Sequence, residues 1–274
     1  MNTEPQVVTK TPKVKKEKIQ SPGRVVLNRL LKNKLAMVGL GIIIFMFLFC
    51  FVGPLLSPHS PDAMNFAMKK QPPSSTYWFG TDLLGRDIMV RLMYAGRVSL
   101  MVGLIAVSIE VVIGGIVGAV AGFYGGWVDS VLMRIVDIFL SVPFLPMMIT
   151  LGAMLSDLDV SPDKRIIFVM IIIGVLSWPS IARLVRGQIL SLREQEFMQA
   201  AEAVGLRDSR KIFRHLLPNT IPSIIVSATL GIGGAIMTES ALSYLGMGVT
   251  PPAASWGNMI QAVNNFIDLD AVAD

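Results

Sequence analysis

Residues 35–56 read LAMVGLGIIIFMFLFCFVGPLL and carry no charged side chain. About 20 apolar residues suffice for an α-helix to cross the hydrocarbon core of a bilayer, so this stretch predicts a membrane-spanning helix. Residues 1–34 form a basic tail with an amphipathic lead, and they contain nine lysines and arginines. A basic tail beside a membrane helix is typical of a cytoplasmic anchor to anionic lipid rather than of a nucleic-acid binder.

Composition extends this prediction to the rest of the chain. Of the 274 residues, 53% are hydrophobic and only 16% are charged, whereas soluble domains carry roughly 25% charged residues. Four further segments are apolar enough to cross a membrane: 98–122, 133–155, 166–184 and 221–245. We therefore predict an all-α, polytopic helical membrane protein with about five spans, in which residues 97–274 form the main transmembrane domain.

The distribution of basic residues predicts the orientation of the chain. Lysine and arginine are enriched on the cytoplasmic side of membrane helices. The polar segment 185–219 carries six of them and the loop 57–96 carries four. We expect the N-terminus and the segment 185–219 to be cytoplasmic, and the loop 57–96 to be extracellular.

The sequence offers no pattern typical of catalysis or metal binding. Cys50 is the only cysteine, and the two histidines, His59 and His215, are far apart in the chain. No glycine is followed directly by lysine, so the phosphate-binding loop G-x-x-x-x-G-K-[ST] is absent. We predict that the chain is not an enzyme and binds no cofactor or metal, and that any ATP is hydrolysed by another chain.

The polar segment between the last two spans has its own helical pattern. A helix over 192–204 would place four apolar residues on one face: Phe197, Ala200, Ala201 and Val204. Gly205 stands where helices commonly end in a left-handed residue. Asp208 or Ser209 could cap a second helix, which Pro218 would stop. From the residues alone, this segment is either a connector resting on the bilayer or a docking element for a soluble partner.

The same segment resembles the EAA loop of ABC importer permeases. The matching residues are Gln199, Ala200, Ala201, Gly205, Leu217 and Pro218. Gln199 replaces the usual glutamate and His215 a usual isoleucine, as in the second permease of dipeptide/oligopeptide importers. Five further stretches are similar to that subfamily: 80–87, 121–126, 182–188, 214–219 and 241–246. The resemblance covers about residues 28–266.

This resemblance implies a complex of several protein chains. The family has the type I ABC importer transmembrane fold, and two homologous permeases enclose the path for the cargo. Two cytoplasmic ATPase subunits receive the EAA loops, and an extracellular binding protein delivers the cargo. The implied location is the bacterial cytoplasmic membrane, and the implied cargo is di- or oligopeptides. Nickel, opines and other small solutes use similar permeases.

Proteins of other classes remain alternatives. A secondary transporter or channel would need more spans or repeated halves, which the sequence lacks. A membrane enzyme would need a catalytic motif. A membrane scaffold would need neither a catalytic motif nor further spans or repeated halves. Co-purification of a second permease and two ATPase subunits would separate the importer from a scaffold or an enzyme.

Small and charged residues inside the predicted spans suggest particular roles. Gly114, Gly118 and Gly122 repeat at every fourth position, and Gly231 lies on a second small-residue face, as in closely packed membrane helices. Arg134 and Asp137 are spaced to pair on one helix. Two carboxylates at membrane depth must face protein or water, and they are candidates to line a path or bond a neighbouring helix: Glu110 and Glu239.

The end of the chain raises a question of span number. Permeases of the resembled family usually have six spans, whereas five are predicted here. The chain stops about where the sixth helix should begin, near Asp274, so we expect a truncated or altered product whose native form has one more span. The alternative is a natural five-span subunit.

Overall fold

The computed structural model describes residues 30–158 and 160–271, with side chains up to residue 264. The chain divides into two compact units, Met1–Phe47 and Leu48–Asp274. The described residues form helices without a β-strand, apart from an isolated bridge between Thr81 and Asp87. The predicted all-α class is therefore confirmed for this part of the chain.

Eight helices of eight or more residues are described in chain order. They are α1 Lys34–Phe51, α2 Ile88–Tyr124, α3 Gly126–Ser141, α4 Phe144–Asp157, α5 Pro162–Arg193, α6 Glu196–Ala203, α7 Asp208–Tyr244 and α8 Trp256–Ala271. A helical turn, Gly53–Leu56, follows α1, and a 3₁₀ turn, Phe66–Met68, lies in the loop before α2.

Three long helices, α2, α5 and α7, supply most of the core of the second unit. One apolar cluster joins Val102 of α2, Ile173 of α5 and Leu242 of α7, and each side chain is at most 2% exposed. A second cluster lies towards the opposite ends of the same helices, around Ala119, Ile189 and the start of α7. Because both clusters draw on all three helices, the helices are held together along much of their length.

The predicted glycine stripe lies in the contact between α2 and α5. A Cβ added to Gly114 would stand 2.6 Å from the carbonyl oxygen of Trp178, and one added to Gly122 would stand 2.8 Å from Cβ of Ile189. At Gly118 the added atom would collide with the carbonyl oxygen of Ala182. The absent side chains therefore let two long helices approach closely, which is the role that small residues play in membrane bundles.

Alanine at Gly118 should destabilise the protein, whereas alanine at Gly115 should not. The two glycines share one helix, but a Cβ at Gly115 would have no contact within 4 Å. Overpacking a tight contact costs about 1–3 kcal/mol. Thermal unfolding of the purified protein in detergent measures the difference. Equal midpoints for the Gly118→Ala and Gly115→Ala variants would contradict this role of the stripe.

Four of these helices are long and apolar enough to cross a membrane: Lys34–Phe51, Ile88–Tyr124, Pro162–Arg193 and Asp208–Tyr244. The predicted span 133–155 differs, since it is divided between α3 and α4, which are bent by 77°. The break falls at Val142 and Pro143. Val142 is extended, with φ −78° and ψ 123°, because a proline disfavours helical backbone in the residue before it.

The prediction that a short helix stops at Pro218 is wrong. The helix continues through this proline, so the second short helix and the predicted span 221–245 are parts of α7. The turns just before the proline, Lys211–Leu216, are a π-helix. Pro218 has no N–H to donate to a carbonyl one turn earlier, and a wider helical turn accommodates this missing hydrogen bond. π-turns within α-helices are found frequently at functional sites.

The structure describes one further helix towards the end of the chain. α8 starts at Trp256, within a stretch where no span is predicted, and it is described as far as Ala271. Asn258 supports its first turn, because its Nδ2 donates to the carbonyl oxygens of Val249 and Ala253. α8 is not among the described helices that are long and apolar enough to cross a membrane, so the expected sixth span stays a prediction.

Candidate coupling site and the charged residues of the bundle

The short helix α6 is anchored to the bundle by one side of its surface. Met198 is fully buried, and Ala201 is 8% exposed. Met198 packs in the apolar cluster that contains Phe123 of α2, Ile189 of α5 and Ile212 of α7. Since these contacts reach all three long helices, a displacement of α6 would be transmitted to the core of the bundle.

The opposite side of α6 leaves apolar residues uncovered. Val204 is 78% exposed and Phe197 is 37% exposed, and Ala200 and Gln199 are also exposed. The prediction that Phe197, Ala200, Ala201 and Val204 share one face is therefore wrong for Ala201. In a helix, residues three apart share a face, so Ala201 follows Met198 inward, while Ala200 follows Phe197 outward.

Gly205 forms the turn between α6 and α7. Its φ is +71°, a left-handed conformation that glycine adopts readily and other residues adopt with strain. The N–H of Gly205 bonds to the carbonyl oxygen of Glu202, and that of Leu206 bonds to Ala201. A Cβ added to Gly205 would have no contact within 4 Å, so the backbone conformation, rather than crowding, requires glycine here.

Lys211 fastens the two sides of this turn together. Its Nζ lies 2.9 Å from Oδ1 of Asp208 and 3.8 Å from Oε1 of Glu202. The same ammonium lies over the ring of Phe123, 5.2 Å from the ring centroid. Lys211 is buried although it is charged. The sequence analysis treated Lys211 only as a basic residue. Its position three residues after Asp208 could have predicted this ion pair.

A bidentate ion pair fixes the neighbouring end of α5. Arg186 donates from Nε to Asp129 Oδ1 at 2.5 Å and from Nη2 to Oδ2 at 2.6 Å, which joins α5 to α3. Both residues lie outside the predicted spans. Arg193 donates to the carbonyl oxygen of Phe123 at 2.8 Å, near the end of α2.

Asp137 pairs with another helix instead of its own. Arg183 Nη2 donates to Asp137 Oδ1 at 2.6 Å, so the predicted Arg134–Asp137 pair is wrong. This ion pair joins α3 to α5, the same two helices that Asp129 and Arg186 join. Together, the two ion pairs hold α3 against the part of α5 that precedes α6.

The last two residues of the resembled motif lie at the start of the long helix. Leu217 is half-buried and packs against the same cluster as Met198, while Pro218 is exposed. The structure thus places Gln199, Ala200 and Pro218 on the surface. Leu217 and Ala201 contribute to the packing beneath.

Glu239 is enclosed by hydrogen bonds at the other end of the bundle. The carboxylate is fully buried, and it accepts from Ser99 Oγ at 2.9 Å and from Ser243 Oγ at 2.6 Å. Ser243 in turn accepts from the N–H of Val249, and Ser99 accepts from that of Trp256. Through the two serines, Glu239 holds both ends of the segment 249–256. Of its two predicted alternatives, Glu239 in this conformation bonds a neighbouring helix, α2, rather than lining an open path.

Arg165 is a structural residue that the sequence analysis missed. It is 6% exposed, and its Nη2 donates to the carbonyl oxygens of Gly152 and Gly246 and to Ser156 Oγ. These groups lie near the C-terminal ends of α4 and α7, where a cation is favoured by the helix dipole. Arg165 stands directly before the predicted span 166–184, and this position could have indicated its structural role.

Glu110 and Gly231 meet between α2 and α7. Glu110 is half-buried, and a Cβ added to Gly231 would stand 3.5 Å from its Oε2. The added atom would lie 3.4 Å from Val107, so the contact at Gly231 is looser than those along the glycine stripe of α2. Of the two predicted path-lining carboxylates, only Glu110 is therefore partly open.

Comparison with known families shows which family the chain belongs to. The family model described as binding-protein-dependent transport system inner membrane component matches residues 114–269, more than half of the chain. The chain belongs to this family. A second model, the N-terminal TM domain of oligopeptide transport permease C, matches residues 21–73. The predicted resemblance to ABC importer permeases is confirmed.

Relatives within this family are similar over most of their length. The dipeptide transport system permease protein DppC of Bacillus subtilis is 44% identical over 84% of this chain and 70% of its own. The oligopeptide transport system permease protein OppC of the same species is 42% identical, over 84% and 73%. The probable D,D-dipeptide transport system permease protein DdpC of Escherichia coli is 36% identical, over 82% and 74%.

Proposed function

We propose that this chain is one of two permease subunits of an ATP-driven importer of di- and oligopeptides, located in the bacterial cytoplasmic membrane. A second, homologous permease completes the path, two ATPase subunits bind from the cytoplasm, and an extracellular binding protein delivers the cargo. The relatives named as dipeptide and oligopeptide permeases support the cargo class. This chain binds no cofactor, and ATP is used by the partner subunits.

The observation that carries the coupling role is the two-sided packing of α6. One side is anchored by Met198, and the other exposes Phe197, Ala200 and Val204 outside the predicted spans. A connector resting on the bilayer would need no such anchor. An ATPase groove that covers the exposed side would bury apolar surface, and its movement would reach α2, α5 and α7 through the anchored side.

Uptake measurements test this function against its alternatives. Deleting the native copy of this chain should abolish uptake of tritiated dialanine, and restoring the chain should restore it. Uptake of radioactive nickel ion, measured in the same cells, should not change. Loss of nickel uptake alone would indicate one of the other solute classes. Unchanged uptake of both would favour a membrane scaffold without transport.

The proposed orientation predicts a difference between two single-cysteine variants. Ser75 lies in the loop 57–96 and Ser209 lies at the start of α7, and both are exposed. In a Cys50→Ala background, a membrane-impermeant thiol reagent added to intact cells should label Ser75→Cys but not Ser209→Cys. The reason is the excess of lysine and arginine around Ser209. Labelling of Ser209→Cys from outside would reverse the orientation.

A further inference from the structure

Glu110 is a carboxylate at membrane depth that has no partner among the residues that the structure describes. It lies at the midpoint of the predicted span 98–122, and its side chain is half-buried. Within the described residues, it has neither a hydrogen bond nor an ion pair. An unpaired charge in the middle of a bilayer is costly, and such groups typically mark the pathway of a substrate or an ion.

An uncharged groove lies between α5 and α7. The groove has a volume of about 650 Å³, and its polar lining consists of three serines: Ser180, Ser223 and Ser227. The other lining side chains are a proline and aliphatic residues, and none of them is charged. Leu230 lines the groove, and the next residue, Gly231, faces Glu110.

We propose that Glu110 receives the N-terminal ammonium group of a peptide as the peptide passes along this groove. The inference rests on the proposed function and adds a recognition residue to it. Every unmodified peptide carries this ammonium group whatever its side chains, so one carboxylate serves a varied cargo. The serine hydroxyls can donate hydrogen bonds to the peptide main chain and accept them from it. Because the lining carries no charge, it does not discriminate between peptides by the charge of their side chains.

The proposal assigns the charge of Glu110 to cargo rather than to a cation of the second permease. The Glu110 carboxylate lies next to Gly231 of its own chain, where an added Cβ would stand 3.5 Å from Oε2. A lysine or arginine of the second permease, paired permanently with Glu110, would have to leave for cargo to pass. A transient ammonium group satisfies the charge only while cargo is present.

The test compares two peptides that differ in one group. Trialanine carries the ammonium, whereas in propionyl-dialanine a hydrogen replaces it. The complete transporter is reconstituted in vesicles, and the binding protein is loaded to saturation with either peptide. The wild type should transport trialanine ~10-fold faster than propionyl-dialanine, as expected for one charge-assisted hydrogen bond. In Glu110→Gln, this ratio of kcat values should fall to about one.

A matched carboxylate supplies the control. Asp163→Asn makes the same chemical change at an exposed position at the start of α5, and it should keep the wild-type ratio. An unchanged ratio in an active Glu110→Gln transporter would overturn the inference. Loss of the second permease from the purified Glu110→Gln complex would assign Glu110 to that partner, which also overturns it. A wild-type transporter that moves neither peptide would contradict the proposed function, and the inference with it.

Discussion

Replacement of Gly205 by valine should abolish ATP-driven uptake while leaving the protein in the membrane. Gly205 has a φ of +71°, and a β-branched residue in this conformation is strained by about 1–2 kcal/mol. The chain relieves this strain by changing the turn, which moves α6 relative to the start of α7. We expect uptake of dialanine to fall ~10-fold or more. The measurement pairs uptake with quantification of the membrane-inserted chain.

Asparagine at the same position provides the control for Gly205→Val. Asparagine tolerates left-handed backbone better than β-branched residues do, and a Cβ at Gly205 has no contact within 4 Å. Gly205→Asn should therefore retain most of the uptake that valine removes. Equal uptake in the valine variant and the wild type would mean that the turn is only a connector.

Glu239→Ala should strongly destabilise the bundle. The change removes the acceptor of two buried hydroxyl groups, Ser99 and Ser243, and leaves a cavity. Unsatisfied buried groups and cavities each destabilise, and we expect a total loss of about 3–5 kcal/mol. The segment 249–256, whose ends these serines hold, should become accessible to protease. Thermal unfolding and limited proteolysis of the purified complex measure both effects.

Two variants separate this role from a general loss of charge. Glu239→Gln keeps the shape and one acceptor oxygen, so it should be less destabilising than Glu239→Ala. Asp163→Asn removes an exposed carboxylate and should leave the unfolding midpoint within the error of the wild type. If Glu239→Ala unfolded at the wild-type midpoint, the hydrogen bonds around this carboxylate would have no role in stability.

The sequence predicted the features that depend on local patterns. Long apolar segments identify membrane helices because the bilayer sets their length, and four of the predicted spans correspond to long described helices. The repeat of Gly114, Gly118 and Gly122 places all three residues on one face, which the structure brings against α5. The left-handed turn at Gly205 was likewise readable from its position after a helix.

Features that depend on distant contacts were not predictable. α6 has apolar residues on two sides, and nothing local tells whether Ala201 or Val204 packs inward. Glu110 and Glu239 looked alike as isolated carboxylates in apolar spans. The serine that separates them, Ser99, is 140 residues away from Glu239 along the chain. The continuous path of α7 through Pro218 depended on a π-helical turn that the sequence does not specify.

Site-specific crosslinking at Ala200 tests the central claim most directly. A photoreactive amino acid is placed at Ala200, on the exposed side of α6, or at Ser75 as a control, within the complete transporter in native membranes. The account predicts a covalent adduct between the Ala200 variant and the ATPase subunit, with a yield that changes when ATP is added, and no such adduct from Ser75. Adducts of the Ala200 variant with lipid alone, in membranes that contain the ATPase, would contradict coupling through this loop.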